Sequence, residues 1–177
     1  MISKGLDFER VSIVGILNAD SLMNFPDFRA YERAFQLMMQ VSGRAGRRDE
    51  QGTVFLQTSQ PEHPLLQHVA NYNYEGMIAE QLAERELFHY PPYYRLIVIV
   101  LRSKHDAPLH TASRLYGEHL RAVFGERVLG PVTPPVSRVQ TFYIRHILLK
   151  IETHANVYMV RERLEQVKQE MLQYVEM

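Results

Sequence analysis

The pair Pro91-Pro92 constrains this chain more than any other feature. It ends a helical stretch, His63 to Phe88, rich in Ala, Glu, Gln and Leu, because proline disfavours helical geometry in the residue before it. Pro64 suits the first turn of that stretch. The apolar patterns on its two sides differ, so the chain reads as a succession of packed pieces. Upstream, Val11 to Leu17 (VSIVGIL) is a β-branched apolar run, expected as a strand buried on both faces. Asn18-Ala-Asp20 ends it. Pro26-Asp27 is expected to start a helix whose apolar face carries Phe28, Tyr31, Phe35, Met38 and Met39. Gly43 and Gly46 break that helix, and Gly52 to Thr58 is a second strand. This is strand, helix, strand, a piece of an α/β layer with a right-handed crossover.

Downstream, Leu96 to Leu101 (LIVIVL) is expected as a buried strand and Ala107 to Phe124 as a helix. Val128-Leu129-Gly130 is short and extended. Val136 to Val139 and Tyr143 to Glu152 read as paired strands, and Val157 to Tyr174 as an amphipathic helix. The order β-α-β-β-α predicts helices on one face of a mainly antiparallel sheet, a ferredoxin-like α+β domain.

Composition narrows the function. With 177 residues, 46% hydrophobic, the chain can bury a core. Lys plus Arg equals Asp plus Glu at 20 each, so any basic site has to be local. The absence of cysteine removes disulfides and thiolate metal sites and fits a cytoplasmic protein. No apolar run reaches the roughly 18 residues of a membrane span, and Met1 to Arg10, with Asp7 and Glu9, does not read as a signal peptide. The eight histidines show no tight ligand spacing, so no metal site is expected.

Chemistry concentrates at Gln40 to Arg47 (QVSGRAGR). Arg44 and Arg47 sit three apart in a turn that Gly43 and Gly46 allow to bend tightly. Guanidinium forks match phosphate oxygens and stabilise charge on a transferring phosphoryl group; Gln40 is placed to orient water or touch nucleotide. The plain alternative is a solvated helix end whose arginines complement the helix dipole. Near the start, Lys4-Gly5-Leu6-Asp7 precedes a strand, where Gly5 and Asp7 offer an amide and a carboxylate, or form only a loop. A third cluster, Arg138, Tyr143, Arg145 and Lys150 with Phe142 and His146, interleaves cations and rings as nucleic acid requires. The plain alternative, commoner for a hairpin in general, is ordinary cross-strand aromatic packing with solvated charges.

Taken together, MISKGLDF at the start, the strand after it and the run from Asn18 to Arg47 resemble motifs V and VI of superfamily 2 helicases. The stretches Pro26 to Arg33 (PDFRAYER) and Glu84 to Arg95 (ERELFHYPPYYR), with Gly130-Pro131, Arg138, Tyr143 and Arg145, narrow the resemblance to the bacterial primosomal replication-restart helicases. The resemblance implies a partial RecA-like second motor lobe over residues 1–62, a helical connector over 63–94 and an α+β C-terminal domain over 95–177. It makes Arg44 and Arg47 arginine fingers supported by Gln40. Gly5, Asp7, Gly43 and Gly46 then belong to the nucleotide-binding or coupling loops. It further implies 3′ to 5′ DNA unwinding at stalled forks, primosome assembly, and contact with branched or single-stranded DNA and the single-strand-binding protein.

The departures are informative. The chain has no G-x-x-x-x-G-K-[ST] loop and no D-E-x-H box. ATP and Mg²⁺ are therefore expected mainly on a missing lobe, and the family's zinc-binding cysteines upstream. The fragment alone is expected to bind neither and to hydrolyse no ATP. Two alternatives remain: a non-enzymatic DNA- or protein-binding module, and part of another superfamily 2 enzyme. A truncated lobe is also expected to expose surface that favours an artificial homodimer.

Overall fold

A computed structural model describes residues 11–43, 45 and 52–175. The protein is a mixed α/β chain that divides into two compact units, residues 1–87 and 88–177.

In the first unit, β1 (Ile13–Ile16) and β2 (Thr53–Leu56) pair in parallel, with Ile16 opposite Leu56. Between them run the short α1 (Asp20–Met23) and the longer α2 (Ala30–Ser42). The helical stretch after β2 is two helices, α3 (Pro64–Ala70) and α4 (Tyr74–Leu87), and not the single one expected. The Asn71-Tyr72-Asn73 corner separates them. Asn71 Nδ2 donates to Gln67 O, Tyr72 takes φ 53°, and Asn73 Oδ1 accepts from Gly76 N at 2.9 Å. Asparagine side chains that satisfy backbone groups locally favour such breaks. Leu65, Leu66 and Met77 from this stretch join Ala19, Met23, Ala34, Phe35 and Met38 in one core, so the segment read as a connector helps build the first unit.

Two sequence expectations fail here. α2 starts at Ala30, not at Pro26-Asp27; Asp27 instead accepts from Arg29 N and Arg33 Nη1 just ahead of the helix. β1 is not buried on both faces. Ile16 and Leu56 pack toward the helices, whereas Ile13, Leu17 and Phe55 are 65%, 80% and 61% exposed. The described helices cover one side of this two-stranded sheet, and alternation sends every second side chain to the other.

In the second unit, β3 (Tyr94–Ser103), β6 (Phe142–Glu152) and β4 (Val128–Val132) form an antiparallel sheet in the order β3-β6-β4, and the short β5 (Arg138–Val139) pairs with the start of β6. β3 and β4, joined through α5 (Asp106–Phe124), both run antiparallel to β6 and flank it. This is the split β-α-β arrangement expected of a ferredoxin-like α+β domain. Tyr116, Leu120 and Phe124 of α5 and Val167 and Met171 of α6 (Val157–Val175) pack on Val128, Ile147, Leu149 and Ile151. The LIVIVL strand is also covered on one face only. Ile97, Ile99 and Leu101 meet the core, while Val98 and Val100 stay 52% and 43% exposed beside Leu129 and Leu148. A one-sided antiparallel sheet normally alternates apolar with polar; here the uncovered side is apolar too.

Candidate functional site

α2 carries the candidate nucleotide-contacting end. Its apolar stripe, Ala30, Ala34, Phe35 and Met38, is buried. Tyr31 meets His63 edge to face, its hydroxyl 3.1 Å from Nε2, while His63 Nδ1 accepts from Leu65 N and caps α3. The proton therefore sits on Nε2 and is donated to the tyrosine oxygen. Glu32 Oε2 accepts from Arg85 Nη2 of α4 at 2.8 Å, and the Arg85 guanidinium lies 5.3 Å from the Phe28 ring centre. Arg85 is 8% exposed, and its Nε is buried with no hydrogen-bond partner.

At the end of α2, Gln40 and Gly43 are exposed. Gly43 has φ −66° and ψ −3°, ordinary helical values, and its N–H closes onto Met39 O at 3.0 Å. The conformational freedom expected of Gly43 is thus unused. An added methyl would meet Met39 O at 3.4 Å. Arg44, Gly46 and Arg47, and Gly5 and Asp7 at the start, lie outside the described residues.

A cluster that the sequence reading passed over sits at the C-terminal ends of β1 and β2. Asp20 accepts from the hydroxyls of Thr58 and Ser59 and from Ser59 N at 2.9 Å. The Ser59 hydroxyl, the Thr58 hydroxyl and the Ser59 amide hold its carboxyl below the usual carboxylate range. The only signal in the sequence was a carboxylate just after a strand and a Thr-Ser pair just after the other, and it specifies no contact until the strands are paired.

In the second unit the four candidate DNA-contacting residues do not share one surface. Arg138 lies 5.0 Å from the Tyr143 ring centre, and the two are register partners in the β5–β6 hairpin. Arg145 shares the helix-facing parity of β6. Its Nη2 donates to Asp106 Oδ1 at 2.6 Å, and its side chain is 12% exposed. Lys150 points to the opposite face. Nζ donates to Phe88 O at 2.6 Å and stands 3.8 Å from the Tyr90 ring centre, and burial lowers its pKa. Lys150 lines a cleft of 470 Å³ with His89, Tyr94, Glu126, Arg127 and Glu152. There Arg127 donates from Nε and Nη2 to Glu152 at 2.9–3.0 Å, which raises the arginine's pKa and lowers the glutamate's. Lys150 and Arg127 are therefore both engaged by protein groups.

Among the described residues, no group of three or more His, Asp or Glu could hold a metal ion. No described helix is long and apolar enough to cross a membrane.

The chain is thus an α/β unit in which the end of α2 is exposed, followed by an α+β unit of split β-α-β topology. Residues 86–174 match the family model described as Primosomal protein N C-terminal domain, and the chain belongs to that family. It is similar to proteins named Replication restart protein PriA: 37% identical over 169 residues to that of Synechocystis, 35% over 176 to that of Bacillus subtilis and 42% over 154 to that of Treponema pallidum. These alignments take in 94%, 98% and 85% of this chain but 20%, 22% and 23% of the relatives, so the chain spans about a fifth of their length.

Proposed function

We propose that the chain is the C-terminal part of an ATP-dependent DNA helicase that moves 3′ to 5′, restarts stalled replication forks in the cytoplasm and assembles the primosome. The observation that carries this is α2. It is rooted in the core along one face and leaves Gln40 and Gly43 exposed at the end that runs directly into Arg44 and Arg47. Membership of the primosomal family and relatives named for replication restart support the reading.

In this reading the first unit is part of a RecA-like second motor lobe. Arg44 and Arg47 reach ATP held, with Mg²⁺, mainly by a lobe outside this chain, and zinc lies upstream. Gln40 supports the fingers, and Gly5, Asp7, Gly43 and Gly46 belong to the nucleotide-binding or coupling loops. Arginine fingers stabilise charge that develops on the transferring phosphoryl group and contribute about 10³–10⁵ in kcat. In the full-length protein Arg47→Ala therefore abolishes hydrolysis and leaves DNA affinity intact. Full ATPase activity in that variant would refute the assignment. The isolated 177-residue chain is expected to show no DNA-stimulated ATPase; turnover that Arg47→Ala abolishes would overturn this.

A second reading makes the C-terminal unit a module that contacts DNA and partners such as the single-strand-binding protein. The exposed hairpin with Arg138 over Tyr143 supports it; Arg145 and Lys150 act there through the segments they hold. Anisotropy with forked DNA tests it, with binding that weakens as salt rises; no binding at low salt counts against it. The exposed β1–β2 face also supports self-association of the isolated chain, which a monomer peak in light scattering at every concentration would exclude.

A further inference from the structure

Arg85 is buried, charged and far along the chain from the arginine motif, yet it grips the helix that leads to that motif. α4 supplies it, α2 supplies its partner Glu32, and the contact is a single hydrogen bond of 2.8 Å. Glu32 is part-exposed, and its other oxygen takes only a long contact of 3.5 Å from Gln36. The guanidinium is further fixed against Phe28. Its Nε has no acceptor although it is buried. A fork that matches carboxylate with two parallel bonds is here half used. A pair serving stability alone is best fully satisfied, since a buried unsatisfied donor is costly.

We infer that Arg85 is a positioning residue for the C-terminal end of α2, where Gln40 and Gly43 lie exposed, acting through Glu32. This rests on the proposal that Arg44 and Arg47 serve hydrolysis. α2 runs unbroken over 13 residues, so an angular change at Glu32, in its first turn, is carried to Gln40 and Gly43 at its other end. Glu80 binds His68 and Glu84 accepts from Gln81, so in the described contacts Glu32 is the carboxylate that Arg85 holds.

The test uses the full-length protein of which this chain is part, with Arg85→Lys, Arg85→Gln, Glu32→Gln and the double variant Glu32→Gln/Arg85→Gln. Steady-state ATPase is measured with saturating DNA, alongside KM for ATP, DNA affinity and a thermal melt. Misplacement of a reacting group from a distance costs about 10²-fold. The expected result is kcat reduced roughly 10- to 100-fold in Arg85→Gln and Glu32→Gln, with KM and DNA affinity unchanged well below the melting temperature. Arg85→Lys, which keeps the charge without the fork, is intermediate. The double variant is no worse than either single one, because both act through one contact. Wild-type kcat in Arg85→Gln, or losses that multiply in the double variant, overturns the inference. Arg47→Ala, run in parallel, separates the two ideas. If it keeps full activity the finger assignment fails; if it is inactive while the Arg85 variants are normal, only the positioning role fails.

Discussion

Single side chains hold the strand ends and one strand crossing. Asp20 joins α1 to the residues after β2 through three hydrogen bonds to its carboxylate. Those bonds favour the charged form and depress its pKa. A depressed carboxylate contributes stability above its unfolded pKa of about 3.9 and loses it as pH falls through the folded value. Asp20→Asn therefore lowers the melting temperature at pH 6–7, and the gap from wild type closes below about pH 4; an equal gap at pH 3 and pH 7 would contradict this. Gly130 is a different case. It has φ +98°, and a Cβ there would lie 2.9 Å from His146 O. Glycine alone occupies this position without strain, so Gly130→Ala costs about 1–3 kcal/mol, measurable by urea unfolding. Gly43, with ordinary helical φ, accepts alanine with no comparable loss of stability.

At the scale of elements, α3 depends on an unusual cap. His63 accepts from Leu65 N through Nδ1 while its other nitrogen serves Tyr31. Removing a side-chain cap costs about 0.5–2 kcal/mol, so His63→Ala destabilises the first unit by that order, and His63→Asn, which keeps an acceptor, recovers part of it. Recovery by Asn equal to none would show that the ring packing on Tyr31 matters more than the cap. Elements were the most legible part of the sequence: β1, α2, β2, β3, α5, β6 and α6 all stand where periodicity placed them, within a few residues. The α3–α4 break was missed because its cause is side-chain bonding by Asn71 and Asn73, which an Ala- and Leu-rich pattern masks. Exposure of one face of β1 and of β3 was missed for another reason. A continuous apolar run reports what a face can tolerate, and not whether a layer lies over it. The candidate site was half legible. Gln40 and Gly43 fall at an exposed helix end, but the commitments of Arg145 to Asp106 and of Lys150 to Phe88 depend on partners 39 and 62 residues away.

For the whole molecule, the two cores share no residue. Each unit is large enough to fold as a small domain. Calorimetry of the chain is therefore expected to show two transitions, one of which coincides with the melting of an isolated 88–177 piece. A single transition with equal calorimetric and van't Hoff enthalpies would mean that the units unfold as one. With 20 basic and 20 acidic residues the molecule as a whole has no charge excess to attract DNA, so contact of the proposed kind has to be local, at the β5–β6 hairpin.

The strand order β3-β6-β4 carries a consequence in time. β6 is the middle strand and the last to be made, and its partner β3 is complete 39 residues before β6 starts, Ser103 against Phe142. At ribosomal rates of about 5–20 residues per second, β3 waits roughly 2–8 s and β4, which ends at Val132, roughly 0.5–2 s before the strand that pairs them begins. During that interval the apolar LIVIVL segment is a nascent strand with both edges open. Its protection on the ribosome falls to α5, which is made immediately after it and presents Leu109, Tyr116 and Leu120 as the first surface it can cover.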